Sequence, residues 1–213
     1  MLLAITEHEI QKLIIRCNML KDGPDYRVDD YVSNLLNTVL DFQMNTKTVN
    51  SAITYYEDKH GCRTHKELKD ILDSFPNTKD GNLKLARFLW NNNHWSRAKF
   101  LRKIIDVFEE MGIKGQESLI KWVEQADFET DIKGKFKTEE HSIGYTLFQW
   151  LRLRLGIDTV KPDVHVINFV TEAIGRQASP EEAVSGLLEV AKQTKRKAAL
   201  LDAAIWHYQR DNA

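Results

Sequence analysis

The sequence predicts an all-α protein, and three observations carry that expectation. Apolar residues recur at helical spacing almost throughout: Leu35, Leu36, Val39 and Leu40 share one face, as do Phe100, Leu101, Ile104, Ile105 and Phe108. Period-two runs of β-branched and aromatic residues are not evident. Punctuation is sparse, with four prolines and ten glycines in 213 residues, and it falls between the periodic segments.

The elements follow in order. Helices are expected near 6–20, 29–42, 47–59, 65–73, 81–90, 96–111, 116–126, 144–155, 163–174, 180–191 and 195–209, with ends placed to within about two to four residues. Several starts carry capping chemistry. Thr46 stands before the helix that Lys47 opens, and Ser96 stands before "RAKFLRKIIDVF". Ser179-Pro180-Glu181-Glu182 supplies a cap, a proline in the first turn and acids at the positive end of the helix dipole. Residues 127–143, "DFETDIKGKFKTEEHSI", are polar, charged and poorly periodic, which predicts a loop. Long irregular loops within compact domains are often functional.

Composition bounds the function. A chain of 213 residues buries a sizeable core as one large domain or two small lobes. Cys17 and Cys62 are the only cysteines and lack C-x-x-C spacing, which excludes a four-thiolate zinc or iron–sulfur site and fits a reducing compartment. Glu7, His8 and Glu9 interrupt the N-terminal run before it resembles a signal peptide, and no stretch approaches the roughly 20 apolar residues of a membrane span. A cytoplasmic protein without a membrane partner is therefore expected. The net charge of −1 gives no global attraction to nucleic acid but allows a local basic face.

The stretch "VKPDVHV", residues 160–166, sets Asp163 among valines. A carboxylate in apolar company has a capping or a chemical reason to be there. Helix capping after Pro162 is one reading and catalysis is the other.

The longer segment "HSIGYTLFQWLRLRLGIDTVKPDVHVINFV" holds an S-I-G turn, an apolar helix ending at Gly156, a seven-residue step and then Asp163. This order resembles the helix-hairpin-helix DNA glycosylase superfamily. "LLNTVLDFQMNTKTVNSAI" is similar to the family segment whose loop enters the DNA, with Gln43 on its glutamine. "HWSRAKFLRKI" is similar to an aromatic-x-S-K-A stretch of the family, and "LDAAIWHYQR" to its apolar final helix. The likeness spans residues 29–209 in the right order.

The resemblance implies a two-lobed fold: a helical barrel over 29–155 that includes the hairpin, and a second lobe of 1–28 with 156–213, the substrate cleft lying between them. It implies a base-excision glycosylase that flips a damaged base out of duplex DNA. Asp163 would stabilise the positive charge that develops on the sugar and activate water. Ser142, Ile143 and Gly144 would bind a DNA phosphate through backbone N–H groups, Tyr145 and Thr146 opening the next helix. Gly144 would allow the backbone conformation and the close approach. Gln43 and Asn45, with Met44, would fill the gap left by the flipped base. Trp95 would stack on a base, its bland reading being a core residue near a helix start. Lys135 and Lys137 are the favoured phosphate contacts, with Lys133 in the same loop and Arg97, Lys99, Arg102, Lys103, Arg152 and Arg154 as further basic clusters. His165 either contacts a phosphate or packs.

Two departures matter. Ser142 replaces the first hairpin glycine. Bifunctional relatives carry a lysine where Thr146 stands, and a threonine cannot form a Schiff base; a monofunctional, water-using enzyme follows. No metal and no cofactor is expected, apart from a monovalent cation at the hairpin, and the protein is expected to act as a monomer. The lesion is left open. Two other readings stand beside this one: a DNA-binding protein of the same fold without chemistry, and a helical protein-interaction scaffold.

Overall fold

The computed structural model describes residues 5–41 and 44–211. In chain order its helices are α1 (Glu7–Cys17), α2 (Tyr31–Asp41), α3 (Thr46–Lys59), α4 (His65–Asp73), α5 (Lys79–Trp90), α6 (Trp95–Glu110), α7 (Gln116–Gln125), α8 (Tyr145–Arg154), α9 (Val164–Ile174), α10 (Pro180–Thr194) and α11 (Ala198–Asp211). Among the described residues there is no β-strand, only an isolated antiparallel bridge between Lys137 and Ser142. The fold is all-α. The chain divides into two compact units, Met1–Arg27 with Arg152–Ala213, and Val28–Leu151.

The Val28–Leu151 unit is organised around α2, in which every residue from Tyr31 to Leu40 is buried. A helix buried all round must be enclosed by others, and α3, α4 and α6 pack on it. Its polar side chains are satisfied within the unit. Thr38 Oγ1 donates to the Asn34 carbonyl at 2.8 Å, and Asn37 Oδ1 accepts the Trp150 indole N–H at 3.0 Å.

Two arginines of α6 complete this core. Arg97 Nη1 donates to the carbonyls of Val39 (2.7 Å) and Leu40 (3.1 Å) at the end of α2. Arg102 donates to the carbonyls of Leu72 (2.5 Å) in the last turn of α4 and of Phe75 (2.8 Å) just beyond it, and to Asn82 Oδ1 (2.8 Å) on α5. Helix C-termini leave carbonyls without intrahelical partners, and each arginine, 7 % exposed, fills that need from inside. The expectation that Arg97 and Arg102 form a phosphate-binding face is thereby corrected.

In the other unit α9 is the hub. Val166, Phe169, Val170 and Ile174 are buried, and α1, α10 and α11 pack around the helix. Ser179 caps α10 as expected, its Oγ accepting the Glu182 N–H at 3.1 Å while Glu182 returns a bond to the Ser179 N–H at 2.9 Å. Two other caps differ from expectation. Asn45, not Thr46, caps α3, accepting the Thr48 N–H at 2.8 Å. Helix α6 opens at Trp95 with no side-chain cap, and Ser96 lies inside its first turn. Within the expected loop at 127–143, residues Phe128–Ile132 form a single π-helical turn.

Arg102→Met removes three hydrogen bonds from a buried site while keeping much of the side-chain volume. Urea unfolding should show a loss of about 2–4 kcal/mol, the cost of leaving buried carbonyls unpaired; unchanged stability would contradict this account of α6.

Candidate functional site

The Asp163 site begins where α8 ends. Gly156 takes a left-handed conformation (φ +84°), and the Ile157 N–H bonds back to the Arg152 carbonyl at 3.0 Å, terminating the helix. The next residues run along α11 and are tied to it twice. Asp158 Oδ1 accepts the Ala199 N–H at 3.1 Å in the first turn of α11. The Lys161 N–H donates to Asp202 Oδ1 at 2.7 Å one turn further on. The Asp163 N–H then reaches back to the Lys161 carbonyl at 2.8 Å, closing a tight turn about Pro162.

Asp163 is extended (φ −85°, ψ −178°) and caps α9. Its Oδ1 accepts both cap bonds, from the N–H groups of His165 (2.9 Å) and Val166 (3.2 Å). Among the described residues Oδ2 makes no hydrogen bond, and the side chain is half-buried. The capping reading is therefore realised, and it occupies one carboxylate oxygen of two.

The sequence reading missed Asp202. It is 3 % exposed, and burial pushes its carboxyl up to about 8; the Asp163 charge acts in the same direction, while the Lys161 N–H and ammonium oppose it. Burial, reinforced by the charges of Asp202 and Asp163, also pushes the Tyr26 hydroxyl upward, which puts Tyr26 in this cluster. The signal was present in "KAALLDAAIW", an acid flanked by apolar residues on both sides. His165 packs edge-on against Trp206, ring centroids 6.0 Å apart, with the Arg210 guanidinium 4.8 Å from the Trp206 centroid. Of its two expected roles, packing is what is seen.

The hairpin lies in the Val28–Leu151 unit. Lys137 and Ser142 pair across it, and the Thr138 N–H donates to the His141 carbonyl at 2.7 Å. Ile143 is buried, and its N–H donates to the Phe136 carbonyl at 3.0 Å, so one of the three expected phosphate donors is already engaged. Ser142 and Gly144 are exposed. Gly144 is not in the left-handed region, and a Cβ there would meet nothing within 4 Å. The expectation that its backbone requires glycine is corrected; what remains is open space for a close approach. Tyr145 and Thr146 are half-buried in the first turn of α8, Tyr145 edge-on to Phe128 at 5.4 Å.

Ser96, displaced from its expected capping role, contacts the hairpin instead, its Oγ lying 2.9 Å from His141 Nε2. Burial, then the nearby Arg97 charge, lowers the His141 pKa, which favours the neutral imidazole. The "HWSRAKF" and "HSIG" stretches are thus physically joined. Trp95 has the Lys79 ammonium 5.2 Å from its ring centroid, so that face is covered. Asn45 is engaged as the α3 cap and Met44 is half-buried, while Gln43 lies outside the described residues.

The lysines differ in availability. Lys133 pairs with Glu129 at 2.7 Å, Lys135 with Asp131 at 3.7 Å, and Lys99 with Glu139 and Glu140 at 3.1 and 3.2 Å. Lys137 is exposed and has no ion pair among the described residues. An open concavity of about 850 Å³ is lined by Lys99, Lys103, Lys135 and Lys137 together with Asp106 and Glu139. Among the described residues no three or more His, Cys, Asp or Glu side chains group to hold a metal ion, and no helix is long and apolar enough to cross a membrane.

Fold and site define an all-helical protein of two compact units, one presenting a capping aspartate with an uncommitted oxygen, the other a lysine-bearing hairpin. The chain belongs to the family described as a domain of unknown function (DUF8548), which it matches over residues 18–210. Neither the curated proteins nor the solved structures compared with it give a match.

The buried Asp202 sets a pH dependence of stability. Its folded pKa, about 8, lies above its ordinary 3.8, so its stabilising contribution is complete below about 4 and is lost as pH rises through about 8. Asp202→Asn does not titrate. The stability of the variant minus that of wild type, from thermal or urea unfolding, should grow between these limits by up to about 1.4 kcal/mol per pH unit; a constant difference would contradict the assignment.

Proposed function

We propose that this protein is a monofunctional DNA glycosylase of base excision repair, with Asp163 as its catalytic residue. The observation that carries the reading is the division of labour at Asp163: Oδ1 holds the start of α9, while Oδ2 of this half-buried residue makes no hydrogen bond among the described residues. Breaking an N-glycosidic bond places positive charge on the sugar, and a fixed carboxylate stabilises it. Oδ2 can also take a proton from the attacking water. The oxygen of that water then bonds to the anomeric carbon as the base leaves with the glycosidic electron pair.

The order of motifs, the contact joining Ser96 to the hairpin and the exposure of Lys137 support a helix-hairpin-helix glycosylase type of fold that binds lesion-bearing duplex DNA as a monomer. Thr146 leaves no amine at the position where bifunctional relatives form a Schiff base. Phosphate binding falls to Ser142, Gly144 and Lys137 and is expected to weaken with salt. A second reading, a DNA-binding protein without chemistry, is favoured by one observation: capping alone accounts for an aspartate at this position.

Base release from duplexes carrying an oxidised guanine, a uracil, a hypoxanthine or a G·T mismatch, read with and without hot alkali, separates the two. The account expects strand breaks only after alkali, with a rate about 10²- to 10⁴-fold lower in Asp163→Asn. Breaks without alkali would contradict the Thr146 argument, and salt-dependent binding without release from any duplex would establish the second reading. Gly144→Ala should weaken binding while changing stability by no more than about 0.5 kcal/mol.

A further inference from the structure

We infer that Asp202 is the positioning residue of the Asp163 site: its Oδ1, fixed in the core on α11, holds the Lys161 N–H and thereby sets the turn that delivers Asp163 to the head of α9. The inference rests on the glycosylase reading for its effect on rate, and on geometry alone for its effect on structure. Both backbone groups of Lys161 are engaged, the N–H by Asp202 at 2.7 Å and the carbonyl by the Asp163 N–H at 2.8 Å. Pro162, between them, has φ fixed by its ring and is buried. Little freedom is left to the chain between Asp202 and Asp163.

A peptide N–H needs only an oxygen acceptor, which serine, asparagine or an ordered water supplies without burying an acid. The acid has a property they lack. With its proton retained to about pH 8, Asp202 accepts the Lys161 bond as a neutral group and leaves Asp163 as the negative charge of the pair. Above that pH the core holds a second negative charge. The charged and titratable groups that act on Asp202 are Lys161 and Asp163 from the segment entering α9; Tyr26, from the chain ahead of α2, feels the Asp202 charge in turn, and His165 of α9 packs against Trp206 one turn further along α11. Ionised Asp202 therefore repels Asp163 and draws the Lys161–Asp163 turn toward water. The rate of base release is expected to fall as pH rises through about 8.

Asp202→Asn keeps an oxygen acceptor and never ionises, whereas Asp202→Ala keeps neither acceptor nor charge. Single-turnover base release from the four duplexes above, with duplex affinity measured in parallel, is expected to drop about 10²-fold in Asp202→Ala at unchanged affinity. Asp202→Asn should match wild type near neutrality and lose the fall at alkaline pH. Equal rates in Asp202→Ala and wild type would overturn the inference and leave the glycosylase reading standing.

A second measurement does not depend on activity. The backbone amide resonances of Lys161 and Asp163, followed by NMR in the intact wild-type protein, should titrate together near pH 8 and lose that step in Asp202→Asn. If no duplex releases base but this step is present, the glycosylase reading falls and the positioning geometry is upheld. Absence of the step in wild type would overturn the inference whatever the activity.

Discussion

One hydrogen bond organises the region where chemistry is proposed: the Lys161 N–H to the carboxyl of Asp202, at 2.7 Å inside the core. A buried carboxyl is costly to ionise, so it stays protonated to about pH 8 and serves as a neutral acceptor. That bond fixes Lys161, Lys161 fixes Asp163 through the turn at Pro162, and Asp163 in turn caps α9. Since α9 is the helix on which α1, α10 and α11 assemble, the site and the core of its unit share a foundation. Loss of Asp202 would be felt as stability and as geometry together.

The helices were legible because their apolar spacing is long and regular. Among the described residues each α-helix lies within a few residues of an expected segment, and the strongest local signal, Ser179-Pro180-Glu181-Glu182, behaves as its residue types dictate. Where expectation and structure part, two residues competed for one role. Asn45 and Thr46 are both good capping residues, and the backbone turns one residue earlier than Thr46 requires. Ser96 would cap α6, but His141 offers its hydroxyl a partner from the hairpin, a contact that local sequence cannot reveal.

The misreadings at the candidate site have one physical source: sequence shows charge but not direction. Arg97, Lys99, Arg102 and Lys103 read as a basic face, yet the two arginines turn inward to helix carbonyls, and Lys99 is held by glutamates. Asp163 stands out because valines surround it; Asp202, equally surrounded by apolar residues, sits in the segment read as an apolar final helix. An acid in an apolar setting reports a buried partner, and here the partner is a backbone N–H forty-one residues away in the chain. The hairpin is legible in its type but not in its hydrogen bonding, since the Ile143 N–H is spent on Phe136.

The central claim is that Asp163 meets a developing positive charge on a nucleoside sugar. Affinity for a duplex bearing a cationic pyrrolidine in place of one sugar, compared with the same duplex bearing neutral tetrahydrofuran, tests it without knowledge of the lesion. A transition-state mimic binds more tightly than its neutral analogue only where the complementary charge is fixed in place, by about 10²-fold or more. The account predicts that preference in the wild type and its loss in Asp163→Asn at unchanged affinity for tetrahydrofuran. Equal affinities for the two duplexes in the wild type would contradict it.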